Sequence, residues 1–227
     1  MFIKMLTTRV ALASAAVILL ATTATQAQMN QRLAEAQAAN ARALRQFEWK
    51  SRNEILKDGE LKRAQLAVVR YDAQGKLEHV VTASTPEPDL PSFGLRGMIA
   101  KKKKKEFLEK VEKLSALAKA YSNVPPDVMQ RFMTSASFTP DGPNLMRITG
   151  RNVIHGGDSM VIFVDAVSRK QRRIEIQSML DDKPVRIVSY FRDLPDGPTY
   201  MARSEITYNS GDIAMITENF DHTSIQR

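Results

Sequence analysis

The stretch Arg172–Leu180, RRIEIQSML, followed by the turn Asp181-Asp182-Lys183-Pro184 and then Val185–Arg192, VRIVSYFR, decides the fold. In its first half Ile174 and Ile176 point one way, while Arg173, Glu175 and Gln177 point the other. In its second half Val185, Ile187, Ser189 and Phe191 oppose Arg186, Val188, Tyr190 and Arg192. Alternation with a period of two between turn signals is the mark of a half-buried strand. Working outward, Thr199–Tyr208 repeats the pattern, with Tyr200, Ala202, Ile206 and Tyr208 on one side and Arg203 and Glu205 on the other. Six such strands fit between Asn144 and Phe220, separated by breaks at His155-Gly156-Gly157-Asp158, 166–170, 181–184, 193–198 and Asn209-Ser210-Gly211-Asp212. Connections this short predict a meander in which neighbours in sequence are neighbours in the sheet, with one charged face and one apolar face.

The other half of the chain supplies more strands and the cover. Phe47, Trp49 and Ile55 alternate with Glu48, Lys50 and Glu54 up to a turn at Lys57-Asp58-Gly59-Glu60, and strands at Leu61–Tyr71 and Lys76–Thr82 follow. These extend the same sheet from its other end. Asn30–Gln46, rich in Ala, Arg, Gln and Glu, reads as a helix with a thin apolar stripe. After the Pro- and Ser-rich 83–93, Ile99, Phe107, Leu108, Val111, Leu114, Leu117, Ala118 and Tyr121 recur at helical spacing within Leu95–Ser122. A short helix starting near Pro125-Pro126-Asp127 carries Val128, Met129, Phe132 and Met133. The expectation is an α+β fold: a curved antiparallel sheet of about nine strands, an unclosed β-barrel, with an inserted amphipathic helical lid and an N-terminal helix.

Residues 1–27 have the layout of a secretory signal peptide. Lys4 and Arg9 precede the uncharged run Val10–Ala21, and Thr25-Gln26-Ala27 offers small residues before a cut ahead of Gln28. The run is short of the ~20 apolar residues of a membrane span. Residues 28–227 then form a single domain. With no Cys in the chain, neither a disulfide nor a lipidated cysteine is possible, so stability must come from the core. The formal charge is +8, but part of it belongs to the leader and five cations lie together at Lys101, Lys102, Lys103, Lys104 and Lys105. Export excludes chromosomal nucleic acid as the partner. The lysine run is either a solvated helix face or a contact with an anionic membrane surface.

No constellation for catalysis stands out. The three histidines, His79, His155 and His222, are far apart and lack metal-ligand spacing. No phosphate loop accompanies Gly156-Gly157, no GxSxG is present, and Asp181-Asp182 before Lys183-Pro184 reads as a hairpin turn rather than a carboxylate pair. No metal, no cofactor and no enzymatic activity are expected. A sheet of this width has more apolar face than two helices can fill, which points to an apolar cleft for a greasy ligand. Its expected lining is Trp49, Phe107, Leu114, Met129, Phe132, Ile174 and Ile187, with further methionines, Met179 among them, as adaptable gap-fillers.

The signal peptide, the Phe47-Glu48-Trp49 first strand, the hairpins, the inserted helical cover and the final meander resemble the LolA-like superfamily of periplasmic lipoprotein carriers and outer-membrane lipoprotein-sorting proteins. Val164-Asp165-Ala166 through Arg172-Arg173-Ile174-Glu175-Ile176, then Pro184-Val185-Arg186, resemble that family's paired central strands. The resemblance implies an unclosed barrel with a helical lid, a periplasmic location and an acyl-chain ligand, as lipid or acylated protein. A different class of function is a non-enzymatic envelope scaffold or sensor, whose protein partner binds the charged outer face at Arg173, Glu175, Arg186, Arg203 and Glu205.

Overall fold

A computed structural model describes residues 31–32, 35–86, 94–195 and 197–225. The expected leader lies outside the described residues, as do 87–93. The chain divides into two compact units, residues 1–40 and 41–227. Helix α1 occupies the described residues from 31 to 44. Ten strands and two further helices follow in the order β1 (Phe47–Lys57), β2 (Glu60–Tyr71), β3 (Leu77–Ser84), α2 (Gly94–Ser122), α3 (Pro126–Ser135), β4 (Ser137–Pro140), β5 (Leu145–Arg151), β6 (Ser159–Asp165), β7 (Gln171–Leu180), β8 (Lys183–Asp193), β9 (Thr199–Tyr208) and β10 (Ile213–Ser224).

All ten strands belong to one antiparallel, curved and unclosed sheet of order β3-β2-β1-β10-β9-β8-β7-β6-β5-β4, with β3 and β4 at its edges. The fold is the expected α+β arrangement, and β1 to β3 do extend the meander from its other end, through pairing of β1 with β10. The extra strand is β4, four residues ending in Pro140 and paired only with β5. An edge position tolerates a proline that a central strand would not.

The hairpins follow from local chemistry. Lys57 pairs with Glu60 and Leu180 with Lys183, so both connections are two-residue loops. Their central residues all have positive φ: Asp58 at 53° and Gly59 at 78°, Asp181 at 48° and Asp182 at 58°. That is the twist-matched turn an antiparallel pair prefers, and Asp and Gly are the residues that accept it.

Register fixes what each face carries. Arg173 pairs with Tyr190, Tyr190 with Arg203, Arg203 with Glu218 and Glu218 with Arg52. This is the charged outer face. On the opposite face Ile176 pairs with Ile187, Ile187 with Ile206, Ile206 with Met215 and Met215 with Ile55, forming an apolar row across five strands. Helices α2 and α3 pack on this second face. Leu114 is 0 % exposed, a burial that contributes roughly 2 kcal/mol on an area basis.

Candidate ligand-binding face

Contacts at three places fasten α2 and α3 across one end of the apolar face. Near its middle, α2 sets the Lys110 ammonium over the Tyr208 ring, 5.1 Å from its centroid. Lys110 and Lys113 also ion-pair with Asp181 in the β7–β8 turn. Hydrogen bonds from these two lysines hold the Asp181 carboxyl below its ordinary pKa. Near its C-terminus Tyr121 enters the core, and its hydroxyl donates to Asp158 Oδ2 at 2.6 Å. From α3, Phe132 lies against Gly150 of β5, where a Cβ would stand 2.6 Å from the ring. Glycine is therefore required at that crossing by close approach rather than by backbone angle.

Asp158 is the most deeply buried ionisable group of the region, 2 % exposed. Its Oδ1 accepts from the Val153 N–H at 2.6 Å, and its Oδ2 from the N–H groups of Ile154 and His155 at 2.9 and 2.8 Å. Burial by itself would raise its pKa, but the donors of His155, Tyr121, Ile154 and Val153 outweigh it and keep the carboxyl below the usual range. The same arrangement pushes Tyr121 well above its ordinary value, through burial first and the Asp158 hydrogen bond second. Sequence reasoning assigned Asp158 only to a turn. Its use as a clasp between that turn and α2 has no sequence signature beyond the residue itself.

One row further from the helices, the face changes character on half of the sheet. Ser189 pairs with Ser204, Ser204 with Thr217, Thr217 with Asn53 and Asn53 with Gln65. The same row continues on the other half as Ile174, Ile162 and Ile148. The polar members are half-buried, with one hydroxyl–hydroxyl hydrogen bond of 2.9 Å between Ser189 and Ser204 and a 2.8 Å bond from Thr217 Oγ1 to Asn53 Oδ1. At the end remote from α2 and α3 Trp49 stacks on His222, with centroids 5.6 Å apart and planes 17° apart, and Tyr71 and Tyr200 complete the group at 6.0 Å from Trp49 and 4.0 Å from His222. Burial lowers the pKa of His222, against the opposing pull of Asp221.

The residues expected to line a cleft fall into two places. Leu114, Phe132 and Ile187 are fully buried, and Phe107, Met129 and Ile174 are half-buried on or under the helix-bearing face. Phe107 stands over Lys57 at the end of β1, with the ammonium 5.9 Å from its ring centroid. Trp49, 8 % exposed, sits eight residues earlier on the same strand, about 26 Å away at ~3.3 Å per residue, and joins the aromatic group instead. Met160 is core, whereas Met179 is 56 % exposed. Lys101, Lys102, Lys103 and Lys105 are exposed and Lys104 is half-buried, with Lys102 and Lys105 ion-paired at 3.9 and 3.8 Å to Glu106 and Glu109 one turn on.

The outer-face charges are matched among themselves. Arg52 pairs with Glu54 and Glu218, Arg203 with Glu218 and Glu205, and Glu175 with both Arg173 and Arg186. Among the described residues no group of three His, Cys, Asp or Glu side chains is placed to hold a metal ion, and no helix is long and apolar enough to cross a membrane.

No protein-family model and no curated protein matches the chain. Among solved structures, it is similar to a LolA superfamily protein from Nitrosomonas europaea at 10 % identity and a TM-score of 0.35, over 85 % of this chain and 94 % of that one. It is also similar to a DUF1329 family protein from Desulfovibrio piger at 7 % identity and a TM-score of 0.39, over 88 % of this chain and 92 % of that one.

Proposed function

We propose that the chain is an exported, periplasmic carrier or binding protein whose ligand is lipid-like, an acyl chain free or attached to a protein, held between the sheet and its helices. The observation that carries this reading is the incomplete cover of the apolar face. In a single cross-strand row Ile187 and Ile206 are buried under the helices, while Met215, paired with Ile206, and Ile55, paired with Met215, are only half-buried. Half-covered apolar side chains beside a buried row are what a cleft for a greasy ligand requires. Phe107, Leu114, Met129, Phe132, Ile174 and Ile187 are assigned to its wall, Trp49 to its far end, and the exposed lysines between Lys101 and Lys105 to anionic headgroups at a membrane surface. A partner docked on the outer face finds less support, because ion pairs already neutralise the charges there. No enzymatic role is assigned.

The test is native mass spectrometry, with lipid extraction, on protein exported in a bacterial host and purified without detergent. A bound lipid near one per chain is the expected result. Ligand-free protein that also fails to take up a hydrophobic fluorophore overturns the proposal.

A further inference from the structure

We propose that the row Ser189, Ser204, Thr217, Asn53 and Gln65 is a recognition site for a neutral carbonyl, the ester of an acyl lipid, whose chain lies along the adjacent apolar row. This rests on the lipid-binding reading above and specifies the chemistry of the bound end.

Three features of the row carry the inference. Its polarity is local: the row nearer the helices is Ile187, Ile206, Met215 and Ile55, and the same row on β7, β6 and β5 is isoleucine. A solvated sheet face would carry charges, as the outer face does, and this row carries none. Its hydrogen-bonding capacity is also unspent. Thr217 donates to Asn53 Oδ1 and the two serines share one proton between them, so both amide protons of Asn53, the amide of Gln65 and one serine hydroxyl proton have no protein partner among the described residues. These half-buried donors reach the surface of the face, where an acceptor on a ligand can replace water. Finally, the row itself holds no cation, the nearest one in register on this face being the exposed Arg63 beside Gln65, so its centre at Ser204, Thr217 and Asn53 suits an uncharged acceptor. An acyl ester presents such an acceptor at the head of an apolar chain.

A monoacylglycerol and the ether-linked alkylglycerol of equal chain length differ only in that carbonyl, and their affinities for the full-length protein are measured by displacement of a bound hydrophobic fluorophore. The ester is expected to bind about tenfold more tightly than the ether, the worth of one to two hydrogen bonds. Asn53→Leu should bring that ratio near one. Should that variant fail to fold, the volume-conserving pair Ser204→Ala and Thr217→Val tests the same row. Equal binding of the two lipids by the wild-type protein, or a ratio that survives the substitutions, overturns the carbonyl site and leaves the cleft standing. If neither lipid binds the wild-type protein, both readings fall.

Discussion

Replacing Tyr121 with Phe removes one hydroxyl from the clasp between α2 and the sheet. That hydroxyl donates at 2.6 Å to a carboxylate 2 % exposed, and its oxygen also lies 3.1 Å from the Ser178 hydroxyl, itself buried. A hydrogen bond to a charged group is worth about 1.5–3 kcal/mol. With the packing of the ring retained, the expected loss is ~2 kcal/mol, a fall in Tm of about 4–8 °C for a chain of this size. Asp158→Asn should be worse, about 3 kcal/mol. Whichever way its amide turns, an NH2 group faces the N–H of Val153 or those of Ile154 and His155 together with Tyr121. Since the two side chains share one bond, the double variant should fall short of the sum of the single losses by roughly 1 kcal/mol or more. The pH dependence has a definite sign. Asp158 has a folded pKa below the unfolded one, so its contribution is complete above the ordinary carboxylate value of about 3.9 and is lost as pH falls through the lower folded value. Tyr121 has a folded pKa above the unfolded one, so its contribution is complete below about pH 10 and is lost as pH rises. Urea unfolding across pH, followed by circular dichroism, measures all of this. Losses under ~0.5 kcal/mol for both single variants, with additive effects, would refute a clasp that holds the helix.

Gly150→Ala places a methyl group 2.6 Å from the Phe132 ring and should lower stability by about 1–3 kcal/mol in a thermal melt, with Phe132→Leu in the same chain recovering part of it. Asp181→Asn removes the negative charge that Lys110 and Lys113 pair with. Its folded pKa is depressed, so the wild-type advantage over this variant should vanish as pH falls below the carboxylate range and shrink at high salt. Trp49 is the single tryptophan and stacks on His222, so its fluorescence should report protonation of that histidine with a midpoint below 6.5, the direction burial imposes. His222→Gln should abolish the titration. Because the folded pKa is lowered, stability from the neutral ring is present above the unfolded pKa and declines as pH falls below it.

The elements that were legible in the sequence are those specified locally. Asp58-Gly59 and Asp181-Asp182 occupy two-residue turns whose φ signs those residues accept, and the alternation of Arg173, Ile174, Glu175 and Ile176 assigns both faces of β7 without help from any neighbour. Strand β4 was not legible, since Ser137-Phe138-Thr139-Pro140 is too short for a period and exists because β5 offers an edge to pair with. The polar row was hidden for a different reason. Each strand contributes one Ser, Thr, Asn or Gln that looks incidental alone, and only the register reveals that they stand side by side. The aromatic group is hidden likewise, because Trp49 and His222 meet through the pairing of the chain's two distant ends. Phe107 and Trp49, expected in one cleft, lie at opposite ends of one strand because spacing along β1 carries no information about which end the helix crosses.

The seam between β1 and β10 links stability to binding. Neighbouring strands from β5 to β10 are joined by short turns, whereas Asn53 and Thr217, bonded across the seam, are 164 residues apart in sequence. Closing so long a loop carries an entropic cost that the hairpins do not, and contacts of high sequence separation form late. The β3-β2-β1 half is therefore expected to open at lower free energy than the β5–β9 meander. The proposed carbonyl site spans this seam, with Asn53 and Gln65 on one side and Thr217, Ser204 and Ser189 on the other. A ligand held there binds only when the seam is closed, and at a hundredfold excess over its Kd it should stabilise the closed form by about 2.7 kcal/mol. Amide hydrogen exchange with and without the monoacylglycerol tests the linkage. Protection should rise by about a hundredfold in β1 and β10 and change little in β6 and β7. A uniform rise across the sheet would mean that the ligand resists only global unfolding, and the seam would then have no independent opening for it to suppress.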